Sequence, residues 1–411
     1  MNELPLSDVK VLDLTRLLPG GFCSLLLADL GAEVLKVEDT GMGDYIRWAP
    51  PYYGGEEQQA LGTRSALYLS LNRGKRSVRL DLKSEAGREA LLRLVESYDV
   101  VLDGFRPGVL DRLGVGYERM REANQAIVFC AITGYGQDGP YAQRAGHDMN
   151  YLGLVGLLGL TGAKHGPPVQ SAGQIADLGG GALMAAFGVM AALHERERSG
   201  EGQMVDVSMA DGALSWLAMV AGRYFCDEEV PHRGEQQLAG GLVCYLPYEA
   251  ADGWVTCGAL EPKFWAALCN GVGRPDLIEK QFEAPGSEAW EQVAEVFGSR
   301  TREEWKAFND EHDCCIEPVL DLDEALDSEL VKARGMVVEL DQPELGKVRQ
   351  LGNPVKLSRT PADPTRPAPA FGEHTDEVLA EAGYSAEEIE AMKASGAAAG
   401  PAAEPQGEFR A

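Results

Sequence analysis

The chain has 411 residues, of which 45% are hydrophobic and 25% charged, the usage of an ordinary globular protein rather than a fibrous or low-complexity one. This length predicts two or three domains, each able to bury its own core. With 37 Lys and Arg against 64 Asp and Glu, the net charge is −27, which argues against a general nucleic-acid binder because phosphate contacts need surplus cations. Any polyanionic ligand must therefore meet a local basic patch.

The eight cysteines show no C-x-x-C spacing, so the sequence predicts neither a disulfide framework nor a metal site. The N-terminal segment lacks an apolar stretch typical of a signal peptide, and we expect a cytoplasmic location. The longest uncharged apolar run, residues 178–193, is shorter than the roughly 20 residues that span a bilayer. We therefore expect a buried, closely packed helix there and no membrane insertion.

Residues 9–38 show a strand, a turn, a helix and a second strand, which is how a parallel sheet with covering helices begins. The alternation resumes downstream and predicts an α/β fold with a doubly wound, Rossmann-like large domain. The further segments of this pattern are a helix at 84–98, a strand at 99–105, a helix at 117–124, a strand at 126–134 and a strand at 203–209.

The pattern of predicted secondary structure changes near residue 240. Residues 242–260 have the pattern of a β-hairpin with its turn at 251–253, and helical segments follow at 262–271, 287–298 and 301–310. These elements predict a small α+β domain. We expect the large domain at 1–205, a linker at 206–236, the small domain at 237–330, a return to the large domain at 331–375, and a C-terminal helix with an acidic flexible tail at 376–411.

Familiar catalytic signatures are missing. The first turn reads Leu18-Pro19-Gly20-Gly21 rather than G-x-G-x-x-G, although Glu38 stands where a ribose-binding acid would be. His194-Glu195 has no second His at the zinc-protease spacing, and no G-x-S-x-G elbow occurs. Dinucleotide, metalloprotease and serine-hydrolase chemistry are all disfavoured.

Basic residues concentrate at 64–93, where eight oppose three acidic ones. The loop formed by Asn72, Arg73, Lys75 and Arg76 around a glycine could bind phosphates, since guanidinium groups bind phosphate in a bidentate manner. The same residues could equally form a solvated helix face with strand-edge cations. Both interpretations stay open from the residues alone.

Arg106 and Arg112 follow the strand at 99–105. Open α/β sheets bind ligands beyond the carboxyl ends of their parallel strands, so an arginine there could reach a second phosphate. It could equally cap the end of a helix.

The segment with the most candidate catalytic residues is AGHDMNY, which contains His147, Asp148 and Tyr151. His147 is a candidate general base, and the amides of a helix start could stabilise an oxyanion. Alternatively, Asp148 caps the helix and His147 packs in the loop. Asp177 precedes a long apolar segment and could be a helix cap or an acid whose pKa is raised by burial.

Longer motifs resemble those of the family III CoA-transferases. They are DLGAEVLKVE, NRGKRSVRLDLKS, DGFRPGVLDRLG, TGYGQDGPYAQRAGHDMNYLGLVGLLGLTG and GQMVDVSMADGALSW. The combination of AGHDMNY with IADLGGG and GALEPKFW resembles the α-methylacyl-CoA racemase branch of that family. The resemblance runs in order over residues 5–370.

The resemblance implies an interlocked homodimer and an acyl-CoA substrate whose CoA is the only cofactor-like group. It implies His147 and Asp177 as the acid/base pair, with Glu261 hydrogen-bonded to the imidazole and the Asp148 backbone amide beneath the enolate oxygen. In the transferases Asp148 would instead be the acyl-accepting nucleophile. The CoA contacts that we expect are Asn72, Arg73, Lys75, Arg76, Arg106, Arg112 and Tyr151.

The leading hypothesis is therefore epimerisation of 2-methyl-branched acyl-CoA thioesters. Inverting a carbon beside a thioester carbonyl requires proton removal on one face and delivery on the other, which two groups such as His147 and Asp177 can supply. The alternative is a family III CoA-transferase, for which His147 would be unnecessary. A non-enzymatic CoA-ester binding module is a third hypothesis.

Overall fold

The computed structural model describes residues 3–55 and 64–402. The chain forms two compact units. The first unit comprises Met1–Leu152, Gly173–Ser215 and Leu330–Ala411, and the second comprises Gly153–Ala172 and Trp216–Glu329.

The first unit is built on a seven-stranded sheet in the order β12-β3-β2-β1-β4-β5-β6. All neighbouring strands in it are parallel except β12, which pairs antiparallel with β3. The strands are β1 (Lys10–Asp13), β2 (Glu33–Glu38), β3 (Lys75–Leu80), β4 (Val100–Asp103), β5 (Val128–Thr133), β6 (Met204–Ser208) and β12 (Ala398–Ala399).

This sheet confirms the α/β fold and the doubly wound topology expected from the sequence. β4 and β5 consist entirely of buried residues, as in parallel strands whose two faces are covered by helices. From β1 the chain adds β2 and β3 on one side and then β4 to β6 on the other. A topological switch therefore lies between β1 and β4, and such switches form ligand-binding crevices at the carboxyl ends of the strands.

Helices cover this sheet, and Leu12, Leu35, Leu91 and Val101 lie in the fully buried core. A hairpin of β10 (Val337–Gln342) and β11 (Gly346–Leu351) completes the unit. The helices are α1 (Leu18–Asp29), a 3₁₀ turn (Tyr45–Trp48), α2 (Ala66–Asn72), α3 (Glu85–Val95), α4 (Val109–Arg112), α5 (Tyr117–Ala123), α6 (Asp148–Leu154, which begins in this unit), a π-helix (Ile175–Leu183), α8 (Met184–Ser199), α9 (Met209–Ser215), α15 (Glu329–Ala333), α16 (Thr375–Glu381) and α17 (Ala386–Ala394).

The second unit is a small α+β body. Its antiparallel sheet has the order β7-β8-β9, and β7 and β8 form the hairpin expected from the sequence. The Tyr248 ring stacks on Phe297 with centroids 4.5 Å apart, and Trp305 packs against Phe297. The elements are β7 (Tyr245–Ala250), β8 (Gly253–Gly258), β9 (Ile316–Pro318), α7 (Leu157–Leu160), α10 (Ala218–Asp227), α11 (Pro262–Gly271), a 3₁₀ turn (Pro275–Lys280), α12 (Glu288–Gly298), α13 (Arg302–His312) and α14 (Leu322–Asp327).

Three features differ from the sequence-based expectations. Residues 153–172 pack with the second unit, and the expected linker at 206–236 consists of β6, α9 and α10 for much of its length. The expected flexible tail contributes β12, while residues 403–411 lie outside the described part of the chain. Ile175–Ser199 is apolar and long enough to cross a membrane by length and composition, which for a single helix is weak evidence, and 44% of its most apolar stretch is buried inside the fold.

Candidate active site

The loop that leads into α6 places His147 at the surface of the first unit. The His147 carbonyl accepts hydrogen bonds from the backbone amides of Asn150 at 2.8 Å and Tyr151 at 3.3 Å. The His147 amide in turn donates to Oδ1 of Asn150 at 3.0 Å. These bonds hold the backbone of His147 while its imidazole is exposed to solvent.

Tyr151 is hydrogen-bonded to the same loop. Its hydroxyl donates to the Gly146 carbonyl at 2.6 Å, and its ring packs edge-on against Tyr135 at 5.1 Å. A Cβ at Gly146 would lie 2.7 Å from this ring, so the loop needs glycine there. Tyr151 is buried, which raises the pKa of its hydroxyl, and the nearby charge of Arg106 acts in the opposite direction. Tyr151 therefore shapes the loop, and Arg106 lies exposed near it.

Asp148 links this loop to the segment that carries Asp177. The Asp148 side chain is only 6% exposed. Its Oδ1 accepts hydrogen bonds from the backbone amides of Ala176 at 2.7 Å and Asp177 at 3.0 Å. These amides belong to the first turn of the π-helix, where the early N–H groups lack partners within the helix. The carboxylate of Asp148 supplies those partners.

Asp177 stands in the first turn of the π-helix, a helix type that is rare and concentrated at functional sites. Its pKa is raised from 3.8 to about 6. Burial is the main cause, the negative charge of Asp148 adds to it, and His147 lowers it. The charges of Asp177, Asp148 and His147 therefore interact within the first unit, so three of the residues singled out in the sequence come together.

Glycines bring the π-helix into backbone contact with α9. A Cβ added at Gly180 would lie 2.6 Å from the Met209 carbonyl oxygen and 2.8 Å from the Ala213 amide nitrogen. A Cβ at Gly212 would lie 2.1 Å from the Gly180 carbonyl oxygen. Only glycine permits this approach, and it holds the helix that carries Asp177.

Glu261 belongs to the second unit. It occupies the position before α11, where its carbonyl accepts hydrogen bonds from the amides of Phe264 and Trp265. Its side chain is exposed.

The basic loop is buried, which corrects the phosphate-binding expectation for Asn72, Arg73 and Lys75. Arg73 is 2% exposed, and its guanidinium binds both carboxylate oxygens of Asp29, at 2.9 and 2.7 Å. Lys75 is equally enclosed, and its ammonium lies 2.8 Å from Oδ1 of Asn72 and 3.3 Å from Oδ2 of Asp13. Side chains paired in the interior in this way cannot reach a ligand.

Arg76 is also engaged within the chain. Its guanidinium contacts the carboxylates of Glu33 at 3.1 Å, Glu377 at 3.0 Å and Glu381 at 2.9 Å. These partners connect β3 with β2 and α16. Arg76 therefore links α16 to the sheet.

A different set of cations surrounds a cleft of about 640 Å³ beyond the carboxyl ends of β1 to β4. Arg112, which the sequence singled out, lines this cleft together with Arg16 and Lys83, which sequence reasoning missed. Arg16 pairs with Asp39 at 2.8 Å. Arg16 and Lys83 each follow closely after a parallel strand, and that position is the signal that could have identified them.

Comparisons with known proteins agree with this architecture. The family model described as CoA-transferase family III matches residues 6–375. The chain is 37% identical to alpha-methylacyl-CoA racemase of Mus musculus, over 93% of this chain and 95% of the relative. It is also 37% identical to succinyl-CoA:mesaconate CoA-transferase of Haloarcula marismortui, over 92% and 96%. The crystal structure of a CAIB/BAIF family protein from Brucella suis matches with a TM-score of 0.79 and 29% identity, covering 93% of this chain and 100% of that one. The chain belongs to CoA-transferase family III.

Proposed function

We propose that this enzyme epimerises 2-methyl-branched acyl-CoA thioesters by proton transfer through an enolate, the activity of an α-methylacyl-CoA racemase. The observation that carries the proposal is that the charge of His147 acts on Asp177, whose backbone amide is held by Oδ1 of Asp148 at 3.0 Å. The pKa of Asp177 is raised to about 6, mainly by burial, so its protonated carboxyl is available near neutral pH. General acid–base catalysis is most efficient when the pKa of the acting group lies near the operating pH.

The proton moves as follows in the proposed reaction. Neutral His147 removes the α-proton and becomes an imidazolium, and the electron pair of the C–H bond moves into the enolate. Protonated Asp177 then delivers its proton to the opposite face of the carbon and becomes a carboxylate. The resulting imidazolium and carboxylate form the state that processes the other enantiomer. One shared proton therefore serves both directions.

Two further groups complete the proposed site. The Asp148 amide stands at the first residue of α6, where a backbone N–H has no acceptor within the helix and can donate to the enolate oxygen. Glu261 is proposed to hydrogen-bond the catalytic imidazole and so hold it in one orientation.

The CoA moiety of the substrate is proposed to occupy the cleft at the carboxyl ends of β1 to β4. Arg16, Lys83 and Arg112 line the cleft, and the exposed Arg106 follows β4. Glu38, Asp39 and Asp81 line the same cleft, and Arg16 pairs with Asp39 at 2.8 Å. Lys83, Arg106 and Arg112 are therefore the cations proposed to contact the phosphates. The proposed reaction moves only a proton, so it uses no cofactor besides the CoA of the substrate.

We also propose that two copies interlock, so that Glu261 serves the partner subunit's His147. Large apolar side chains are exposed on α8, where Phe187 is 73% exposed, and on α10, where Phe225 is 78% exposed. Exposed apolar surface of this kind marks protein–protein contacts. A cytoplasmic location stays a prediction, and the eight free cysteines suit a reducing compartment.

A family III CoA-transferase with Asp148 as nucleophile is the second candidate. It is supported by the transferase relative, which is as similar to this chain as the racemase relative.

Incubation with each enantiomer of a 2-methylacyl-CoA in heavy water tests the racemase proposal. We expect α-deuterium incorporation and inversion, both followed by NMR. In Asp177→Asn, one enantiomer should still exchange through His147 without inverting, and His147→Ala should show the opposite preference. His194→Ala, an exposed histidine on α8, is the control. Absence of exchange, together with CoA transfer to a free acid, would support the transferase instead.

A further inference from the structure

Asp148 is the residue on which the two candidate activities differ most, because a transferase requires its carboxylate to attack a thioester. Its surroundings are those of a structural acceptor. One oxygen binds two backbone amides, at 2.7 and 3.0 Å, and the side chain is 6% exposed. Oδ1 is therefore engaged by the backbone at the start of the π-helix.

We propose that Asp148 is a positioning residue, which fixes the backbone of Asp177 through the amides of Ala176 and Asp177. This inference rests on the proposed racemase function. In this inference the side chain of Asp148 holds the backbone of Asp177. The backbone amide of Asp148 has a separate role in the proposed mechanism, which is to donate to the enolate oxygen.

The two hydrogen bonds secure a segment with little rigidity of its own. The π-helix contains Gly179, Gly180 and Gly181, and glycine loses more conformational entropy on folding than any other residue. An anionic acceptor also suits a helix N-terminus, where the amide dipoles present partial positive charge. Asp148 thereby orders the turn from which Asp177 projects.

Asp148 has a second effect on Asp177, through charge. Its carboxylate raises the pKa of Asp177, opposing His147, which lowers it. Tyr151 also lies within electrostatic range, since Asp177 and Asp148 both contribute to raising the pKa of its hydroxyl, and Arg106 opposes them there. Removing the charge of Asp148 should therefore lower the pKa of Asp177 toward the ordinary range of a carboxyl.

Two substitutions separate position from charge. Asp148→Asn keeps an oxygen acceptor for the two amides but removes the charge, whereas Asp148→Ala removes both. In Asp148→Asn we expect the Asp177 limb of the pH profile to lie lower by about 1 unit. In Asp148→Ala we expect kcat to fall at least about tenfold with little change in KM, because the Asp177 backbone is displaced.

A titration that does not depend on activity completes the test. ¹³C NMR of aspartate-labelled protein, with the Asp177 signal assigned by its loss in Asp177→Asn, should show Asp177 titrating about 1 unit lower in Asp148→Asn. Asp206→Asn is the matched control, because Asp206 also accepts a backbone amide, that of Gln137 at 3.0 Å, and should leave the titration unchanged.

The outcomes are distinguishable. If no 2-methylacyl-CoA exchanges with any variant, the proposed function fails, yet the NMR titration still decides the inference. Asp177 titrating at the wild-type pH in Asp148→Asn overturns the inference. So does a hydroxylamine-sensitive acyl group recovered on residue 148 of the wild-type enzyme. Should Asp148→Ala not fold, Asp148→Asn and the titration decide alone.

Discussion

At the residue scale, Asp177 stands where burial and a neighbouring carboxylate both oppose its ionisation. Its pKa in the fold, about 6, lies above the ordinary value of 3.8, so the folded chain binds this proton more tightly than the unfolded chain does. The free energy of unfolding therefore falls as pH rises from about 3.8 to about 6, and the loss is complete above that range. The negative charge of the ionised Asp177 carboxylate is therefore unfavourable in the fold, and accepting a proton removes it.

Asp177→Asn should consequently stabilise the protein while it abolishes inversion. Because Asp177 is only partly buried, solvent screening reduces the effect, and we expect a gain of about 1 kcal/mol at pH 8. The gain should shrink to about a third at pH 4.5, where the folded-state carboxyl is already protonated. Urea unfolding at both pH values measures this. A gain that is equal at both pH values would contradict the assigned shift.

The basic loop shows what sequence reasoning could not predict at this scale. Four neighbouring cationic and amide side chains in an acidic protein leave a phosphate site and a solvated helix face as open alternatives, and the family resemblance implies CoA contacts. The partners that neutralise them are far away in the chain, with Asp29 lying 44 residues from Arg73 and Glu381 lying 305 residues from Arg76. Such pairs form only when the sheet and the C-terminal segment assemble. By contrast, residue type and local motif single out His147 and Asp177 in the sequence, and the structure places their charges within range of each other.

At the element scale, the placement of Asp177 depends on the contact between the π-helix and α9. Gly180→Ala would press a methyl group against the Met209 carbonyl oxygen at 2.6 Å, and backbone atoms cannot move aside as a flexible side chain can. We expect a loss of about 1–3 kcal/mol in the free energy of unfolding and a lower kcat. Chemical denaturation and the exchange assay measure both.

Gly298→Ala is the matched control for this prediction. Gly298 ends α12, and a Cβ there has no atom within 4 Å. The substitution should be neutral or stabilise the protein by up to about 1 kcal/mol, because alanine has the higher helix propensity. Equal losses in the two variants would show that the π-helix contact is not special.

Local sequence patterns predicted the individual helices and strands well, but they predicted less well which of the two units each segment belongs to. The first βαβ unit, the hairpin of β7 and β8 and the helices of the second unit follow from apolar periodicity and turn residues, which act over a few residues. The π-helix and the packing of residues 153–172 with the second unit depend on contacts between distant segments. A closely packed helix is expected at 178–193 from the sequence, but the backbone approach of Gly180 to α9 could not be derived from spacing.

At the scale of the whole molecule, a net charge of −27 repels anions everywhere except at local basic patches. CoA binding should therefore depend on the few cations at the cleft of the first unit. We expect Arg112→Ala and Lys83→Ala each to weaken CoA binding about 10-fold or more, since a charge-assisted hydrogen bond contributes about 1.5–3 kcal/mol. Calorimetric titration with CoA measures this. Arg119→Ala, exposed on α5 and outside the cleft, should bind CoA as wild type does.

The proposed dimer would explain why large apolar side chains are exposed on α8 and α10. Phe187 on α8 and Phe225 on α10 each expose about three-quarters of the side chain, which is unfavourable in water unless another surface covers it. Phe187→Asp or Phe225→Asp should place a charge in that contact and shift the protein from about twice 44.2 kDa to 44.2 kDa in sedimentation velocity. Arg119→Glu controls for the added negative charge.

Loss of the dimer should carry loss of exchange with it, because Glu261 is proposed to reach the partner subunit's His147. Mixing His147→Ala with Glu261→Ala, neither of which should invert the substrate, tests this prediction stringently, with inversion as the activity measured. Mixed dimers made by refolding the two together contain one site that has both intact residues, so up to about a quarter of wild-type activity should return if half of the dimers are mixed. Activity that stays absent in refolded mixed dimers would mean that Glu261 serves its own chain, whereas a fully active 44.2 kDa monomer would remove the dimer from the mechanism altogether.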